Sequence, residues 1–343
     1  MISPAVLKLD ELILPIPGPA PSGEPLADGV RLQLDELRKE PDDFDPSTAG
    51  RIADWPKIIR LASENLQVKS KDLLLAVRLV EAITKKNGLA GLRDGLQLLG
   101  RLSADCWEYL HPIPGPGEDA EIRVGPFNWL NDAMRGAKFP QVITALPLVK
   151  AGTKAFAYVD SIVAARKKEL EESVPKIDMA ALQTTYEDLQ EAKRALEELS
   201  KTLDERLGSD VAPNFLSPEN TASMGTALDQ CIHMVWGLGK RRGVDFGAAP
   251  AVAAEAEAGD AADATGAAAA PVSVANTREE LYKQLGLIAT TLKRIEPHSP
   301  IPFMLDRCVR LGMLPFPVLM RAIMRETAPL DELDRIMGIE KEK

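Results

Sequence analysis

The 343-residue sequence is short of aromatics, cysteines and histidines, and it holds no long apolar run. Sixteen aromatic side chains are too few for a β-sandwich or barrel, whose strands favour aromatic and β-branched residues. Cys106, Cys231 and Cys308 form no even disulfide framework, which points to a reducing cytosol. His111, His233 and His298 never fall at helix-neighbour spacing, and there is no Cys-x-x-Cys, so no metal site is expected. No apolar stretch approaches the roughly 18 residues of a membrane span. Asp10 and Glu11 interrupt the N-terminal stretch, and the apolar run at 12–16 is too short for a signal peptide. Positive charge is also in deficit, with 41 Lys and Arg against 51 Asp and Glu, a net −10. That balance argues against general binding to nucleic acid or anionic lipid.

What remains is the composition of a soluble helical protein: 45% apolar, 27% charged, and rich in Ala, Leu, Glu, Lys and Arg. The length suggests two or three domains. The first 50 residues are punctuated by Pro15, Pro17, Gly18, Pro19, Pro21, Gly23 and Pro25, which predicts a leader running extended over a surface. A short helix is expected over 30–39. From Trp55 the apolar spacing becomes helical. Ser70 reads as the N-cap of a helix, its hydroxyl accepting the N–H of Leu73, with Asp72 in the first turn. That helix, up to Asn87–Gly88, is apolar nearly all round and should be buried. The next is expected over 89–110, ended by His111–Pro112, and a short one over 127–134.

A helical stretch broken by Pro147 and Gly152 is expected over 142–168. Beyond Pro175, Leu182, Leu189, Leu196 and Leu203 recur every seven residues. Four heptad leucines without a clean second seam fit packing within the chain better than a coiled coil between chains, though both are open. Ser217-Pro218-Glu219 reads as the start of another helix. Residues 247–275 hold no aromatic and no Lys or Arg, and they read as a flexible Ala/Glu/Asp linker. Helices return over 276–343: one spaced by Leu281, Leu285, Ile288, Leu292 and Ile295, one capped by Ser299 with Pro300 in its first turn, and one running to Arg325. A terminal unit of this size often gains stability by oligomerising.

Candidate chemistry is sparse, and no catalytic, metal or cofactor residue is assigned. Cys106 and His111 are the nearest approach to a nucleophile and base, but a core cysteine and a helix-ending histidine explain them more simply. No Gly-rich phosphate loop follows a strand. Lys85-Lys86 and Lys240-Arg241-Arg242 stand at helix ends, where they complement the dipole. Arg307 shares a helix face with Arg310, and Arg321 with Arg325, either as solvated surface or as a contact with another subunit or partner.

Several motifs then fall in a familiar order. Leu14-Pro15-Ile16 and Pro21-Ser22-Gly23-Glu24-Pro25-Leu26 come first, then Trp55, Ser70-Lys71-Asp72-Leu73 and Gly88-Leu89-Ala90-Gly91-Leu92. Cys106-Trp107-Glu108-Tyr109-Leu110-His111-Pro112 and Arg123 with Trp129-Leu130 complete the set. Over residues 8–135 this resembles the ImpA-type N-terminal domain of the TssA family of bacterial type VI secretion. The stretch from Glu296 through Pro297, Ser299 and Pro300 to Pro302, with Arg307, Phe316 and Leu319, resembles the end of many members. Asn276-Thr277-Arg278 departs from the Ser-Arg pair expected there.

The resemblance implies an all-α, non-enzymatic assembly protein of the bacterial cytoplasm. Its plan would be an N-terminal helical domain at 1–135, a middle helical region at 136–246, the linker at 247–275 and a ring-forming unit at 276–343. It implies homo-oligomeric rings and contacts with baseplate, inner-tube and contractile-sheath proteins, without nucleic acid or membrane insertion. Pro15, Ser70, Lys71, Asp72, Trp107, Pro112 and Trp129 would be structural motif residues. Pro297, Ser299, Pro300, Arg307, Arg310, Arg321 and Arg325 are the candidates for self-assembly or partner contact. An adaptor without a closed ring is the alternative, and a Cys106–His111 hydrolase a third reading.

The net charge is unevenly spread. Residues 1–50 carry four basic against ten acidic side chains, and 251–275 carry four acids and no base. The remaining stretches sum to zero, so the helical blocks are nearly neutral.

Overall fold

The computed structural model describes residues 2–40, 50–115, 120–133, 136–216, 222–244, 246–247, 285–286, 289–290, 293 and 300–312. The chain divides into two units, residues 1–264 and 265–343. Among the described residues the fold is helical apart from one two-stranded hairpin.

In the first unit the leader forms a short helix α1 (Leu9–Ile13), and α2 (Asp28–Leu37) follows. Asp54 caps α3 (Trp55–Val68), its carboxylate accepting the N–H of Lys57. Next come α4 (Leu73–Asn87) and α5 (Leu89–Asp105), separated only by Gly88. They lie antiparallel, since Gly91 faces Ile83 and Gly95 faces Val80. A Cβ on Gly91 would stand 2.1 Å from the Ile83 carbonyl oxygen, so this contact requires glycine. A 3₁₀ turn at Trp107–Tyr109 ends this pair, and α6 (Val124–Asn131) and α7 (Phe139–Thr144) follow.

The expected helical stretch over 142–168 is replaced in part by a hairpin. Strands β1 (Val149–Ala151) and β2 (Lys154–Phe156) pair antiparallel, Val149 opposite Phe156, and turn at Gly152–Thr153. Pro147 and Gly152 therefore do more than break a helix: one side of the strand pair, Val149 and Phe156, enters the core. Helices α8 (Tyr158–Ile162) and α9 (Ala164–Ser173) come after it.

The long α10 (Met179–Leu207) is capped by Asp178 and ends at Gly208. Its heptad leucines 182, 189, 196 and 203 are all buried within this unit. Helix α10 runs parallel to α5, with Arg93 on Asp188 at one end and Arg206 on the Ala104 carbonyl at the other. Helix α11 (Met224–Arg241) packs against α10 and α7. Ser223 caps it, so it begins later than the Ser217-Pro218-Glu219 start read from the sequence; residues 217–221 lie outside the described ones. One hydrophobic core runs from Leu12 to Leu238, continuous across residue 135.

Polar groups inside this core are tied down. Arg93 donates to Asp188 at 2.6 Å and to Asp94 at 2.8 Å. The same guanidinium reaches the Ser3 and Pro4 carbonyls, while Asp94 accepts the N–H groups of Val6 and Leu7. The N-terminal residues are thereby fastened across α5 and α10.

In the second unit α12 (Ile301–Gly312) is amphipathic. The Met304 N–H donates to the Pro300 carbonyl, which places Pro300 at the helix start. Leu285, Gly286, Ala289, Thr290 and Lys293 are helical, in line with the expected 281–295 helix. The linker beyond Gly247, the cap at Ser299 and the third helix to Arg325 lie outside the described residues.

Candidate functional site

The motif residues meet where the leader crosses the start of α4. The Glu24 N–H donates to the Lys69 carbonyl and the Lys71 N–H to the Ser22 carbonyl, so the leader adds one antiparallel bridge, Gly23 to Ser70. Gly23 sits at φ +65°, and a Cβ there would lie 2.0 Å from the Lys69 carbonyl oxygen. This explains the glycine of Pro21-Ser22-Gly23-Glu24-Pro25. On the other side, His111 donates its N–H to the Lys71 carbonyl, and its own carbonyl accepts the N–H of Leu73. Three segments distant in sequence are thus fastened in a row.

The cap of α4 is Asp72, not Ser70. The Asp72 carboxylate accepts the Leu74 N–H at 2.7 Å, whereas the N–H expected to bond Ser70, that of Leu73, goes to His111. The Ser70 backbone is held by the leader two residues ahead of the helix, and its buried Oγ finds no partner. Burial raises the Asp72 carboxyl above its ordinary range, against the two backbone N–H groups that lower it.

Lys71 is 0% exposed. Its Nζ donates to the Leu12 carbonyl at 2.5 Å and the Leu66 carbonyl at 2.7 Å. It therefore staples the end of α1 to the end of α3. Burial without a carboxylate partner pushes the ammonium down to about 8, and the nearby Cys106 opposes this weakly. Pro15, just after α1, is exposed and leads into the buried Ile16.

Trp107 is buried under Arg123, whose guanidinium carbon lies 4.5 Å from the ring centre. Arg123 donates from Nε to the Pro112 carbonyl at 2.9 Å and from Nη2 to the Leu110 carbonyl at 2.7 Å. Trp129 is half-buried on α6, with Arg78 at 3.9 Å and Arg38 at 5.0 Å from its ring centre. Arg38 forks onto Glu81 at 2.9 and 2.7 Å. Arg78 donates from Nη2 to Asp35 at 2.6 Å, but its buried Nη1 has no hydrogen-bond partner.

Asp72, Pro112 and Trp129 line a single cleft of about 620 Å³ with Arg31, Arg78 and His111. Ser70 lines a neighbouring groove with Ile16 and Val68, and Lys71 and Trp107 are packed beneath. Sequence reasoning misses Arg31, Arg38, Arg78 and Glu81. Arg78 and Glu81 do carry a signal: two charges three residues apart inside an otherwise apolar helix must find partners or a role.

Cys106 and His111 do not form a reactive pair. The Cys106 thiol donates to the Ile13 carbonyl and accepts from Tyr109 Oη, both at 3.4 Å. Burial pushes that thiol up, the reverse of an activated nucleophile. His111 Nε2 instead faces the Gly23 carbonyl at 3.5 Å.

In the second unit Arg307 and Arg310 are exposed on α12. Ile301, Phe303 and Met304 are 50%, 57% and 61% exposed, and Lys293 contacts both Asp306 and the Phe303 ring. Pro297, Ser299, Arg321 and Arg325 lie outside the described residues.

The architecture is that of an all-α type VI secretion domain: residues 13–132 match the family model described as ImpA, N-terminal, type VI secretion system. The chain is 25% identical to the type VI secretion system component TssA1 of Pseudomonas aeruginosa PAO1, covering 98% of this chain and all of that one. It also matches the solved N-terminal domain, including the conserved ImpA_N region, of the TssA component from Burkholderia cenocepacia. That match has a TM-score of 0.57 and 25% identity, over 69% of this chain and 96% of that one. These likenesses identify residues 13–132 as an ImpA-type N-terminal domain of type VI secretion and make the chain similar, along 98% of its length, to a TssA component. Among the described residues, no helix is long and apolar enough to cross a membrane.

Proposed function

We propose that this chain is a non-enzymatic assembly subunit of the bacterial cytoplasm that forms homo-oligomeric rings. Residues 276–343 build the ring. The first unit reaches baseplate, inner-tube and sheath proteins and primes or caps their polymerisation. The observation that carries this reading is likeness to a type VI secretion component along 98% of the chain rather than over one domain. A further support is the face of α12, where Ile301, Phe303 and Met304 stand exposed beside Arg307 and Arg310. Exposed large apolar side chains on a short amphipathic helix suit burial against another copy. Tethering several first units to one ring would raise their effective concentration at a multi-copy partner.

Light scattering on the full chain tests the reading. A large, discrete oligomer is expected, and a monomer at micromolar concentration would overturn it. Electron micrographs without rotational order would favour the open adaptor. Phe303→Glu should dissociate the oligomer while leaving the helical content of the first unit unchanged.

A further inference from the structure

Residues 3–7 are gripped by a buried charge cluster, and the grip is on their main chain. Arg93, Asp94 and Asp188 are 4%, 2% and 2% exposed. Arg93 and Asp94 stand together on α5, and Asp188 comes from α10. Two carboxylates against one guanidinium leave the cluster with one unmatched negative charge, and a buried charge needs partners. Residues 3–7 supply them. Asp188 accepts the Ser3 N–H at 3.1 Å, and Asp94 Oδ2 accepts the N–H groups of Val6 and Leu7 at 2.6 and 3.0 Å. Arg93 donates to the Ser3 carbonyl at 2.8 Å and to the Pro4 carbonyl at 3.3 Å.

The side chains of this strap contribute little. Ile2 and Val6 are 47% and 36% exposed, and Pro4 and Ala5 are exposed as well. Leu7 packs partly on the core where the strap passes towards α1. Pro4 fits because the cluster uses its carbonyl and needs no N–H from it. The cluster thus reads backbone groups: donors from the first, fourth and fifth residues of the stretch, acceptors from the first and second. A site that selected side chains would bury them in pockets.

The cluster does not owe its assembly to the strap. Leu92, Leu96 and Leu99 of α5 and Leu189, Leu196 and Leu199 of α10 are buried in one core, which holds the two helices together. Hydrogen bonds to charged groups are stronger than neutral ones, but water can replace each of them once the strap leaves. Release therefore costs polar contacts and exposes little apolar surface.

We propose that Arg93, Asp94 and Asp188 form a binding site for a peptide main chain, which residues 3–7 occupy as an exchangeable strap. The ligand class is a five-residue segment with N–H groups at its first, fourth and fifth positions and no demand on its exposed side chains. The strap covers a point on the α5–α10 seam where another polypeptide segment of that form can join the unit.

The test uses the chain lacking residues 2–7 and a labelled peptide of residues 1–8, read by fluorescence polarisation. Saturable binding is expected. N-methylation at Val6 removes a donor without changing charge, and it should weaken binding at least about ten-fold, as should Asp94→Asn in the chain. Changing Ala5 and Val6 of the peptide to Thr should alter affinity by less than about three-fold. No binding by a folded deletion chain, full affinity of the N-methylated peptide, or an equal loss from the Thr changes would each overturn the proposal. Should circular dichroism show that the deletion chain does not fold, hydrogen exchange on the full chain decides. The Val6 and Leu7 amides should exchange by local release, faster than the core amides of α5 and α10. Strap and core amides exchanging at one common rate would overturn the proposal. Neither measurement depends on whether the chain forms a ring.

Discussion

The stacks of Arg123 on Trp107 and of Arg78 on Trp129 both lie in the first unit and differ in one respect. Arg123 over Trp107 is closed: Nε and Nη2 each reach a backbone carbonyl of the segment 110–112. Arg78 over Trp129 is less closed: Nη2 reaches Asp35, while the buried Nη1 is left without an acceptor. The same pair of residue types thus fastens a loop in one place and leaves a buried donor unmatched in another. Residue type does not separate the two roles; the count of satisfied donors does.

That contrast can be broken from its strongest end. Arg93 is closed on both sides, held between buried Asp94 and Asp188. Arg93→Met should cost about 3–5 kcal/mol, because it strands two buried carboxylates. Urea unfolding measures this, and a loss below about 1 kcal/mol would show the cluster to be open to water. Arg123→Met comes next, at about 2–4 kcal/mol, since two inward carbonyls lose their donors and the ring loses its cation.

Lys71 sharpens the contrast through pH. Its folded value of about 8 lies below the ordinary 10.5, so between those pH values the unfolded chain holds the extra proton. Lys71's contribution to stability therefore rises as pH climbs through that window. Relative to Lys71→Met, the wild type should gain up to about 3 kcal/mol between pH 8 and pH 10.5. Cys106 and Tyr109 titrate upward in both chains and largely cancel in the difference. A flat difference across the window would mean that burial does not lower the Lys71 value, its ammonium being held by the two carbonyls as firmly as by water.

Smallest of all, Arg78→Met should change stability by less than about 1 kcal/mol, because removing an unsatisfied buried donor offsets the loss of one partly exposed ion pair and of a cation on the Trp129 ring, which Arg38 still contacts. If it destabilises as much as Arg123→Met, the open and closed stacks are the same device.

Much of the helical frame is legible along the chain. The apolar run of α4, the heptad of α10 and the stop at Asn87–Gly88 all follow local rules of period and punctuation. Trp107, one of the motif residues, is buried beneath Arg123. The failures share a cause. Ser70 is as good a local cap as Asp72, and what decides between them is the leader pairing with Ser70 from 47 residues away in sequence. The hairpin at 149–156 reads as helix because its alternation lasts only three residues per strand, too few to register as a period.

By itself the sequence determined the helical class, the positions of most helices and the motif order that marks the family, because these depend on near neighbours. It also placed two charges, Arg78 and Glu81, in a helix that had to be buried. Only the tertiary structure decided what became of them. Glu81 was satisfied by Arg38 from the end of α2, whereas Arg78 was brought against the Trp129 ring with one donor unmatched. Pairing a buried charge takes geometry between segments far apart in the chain, and no local pattern encodes that distance.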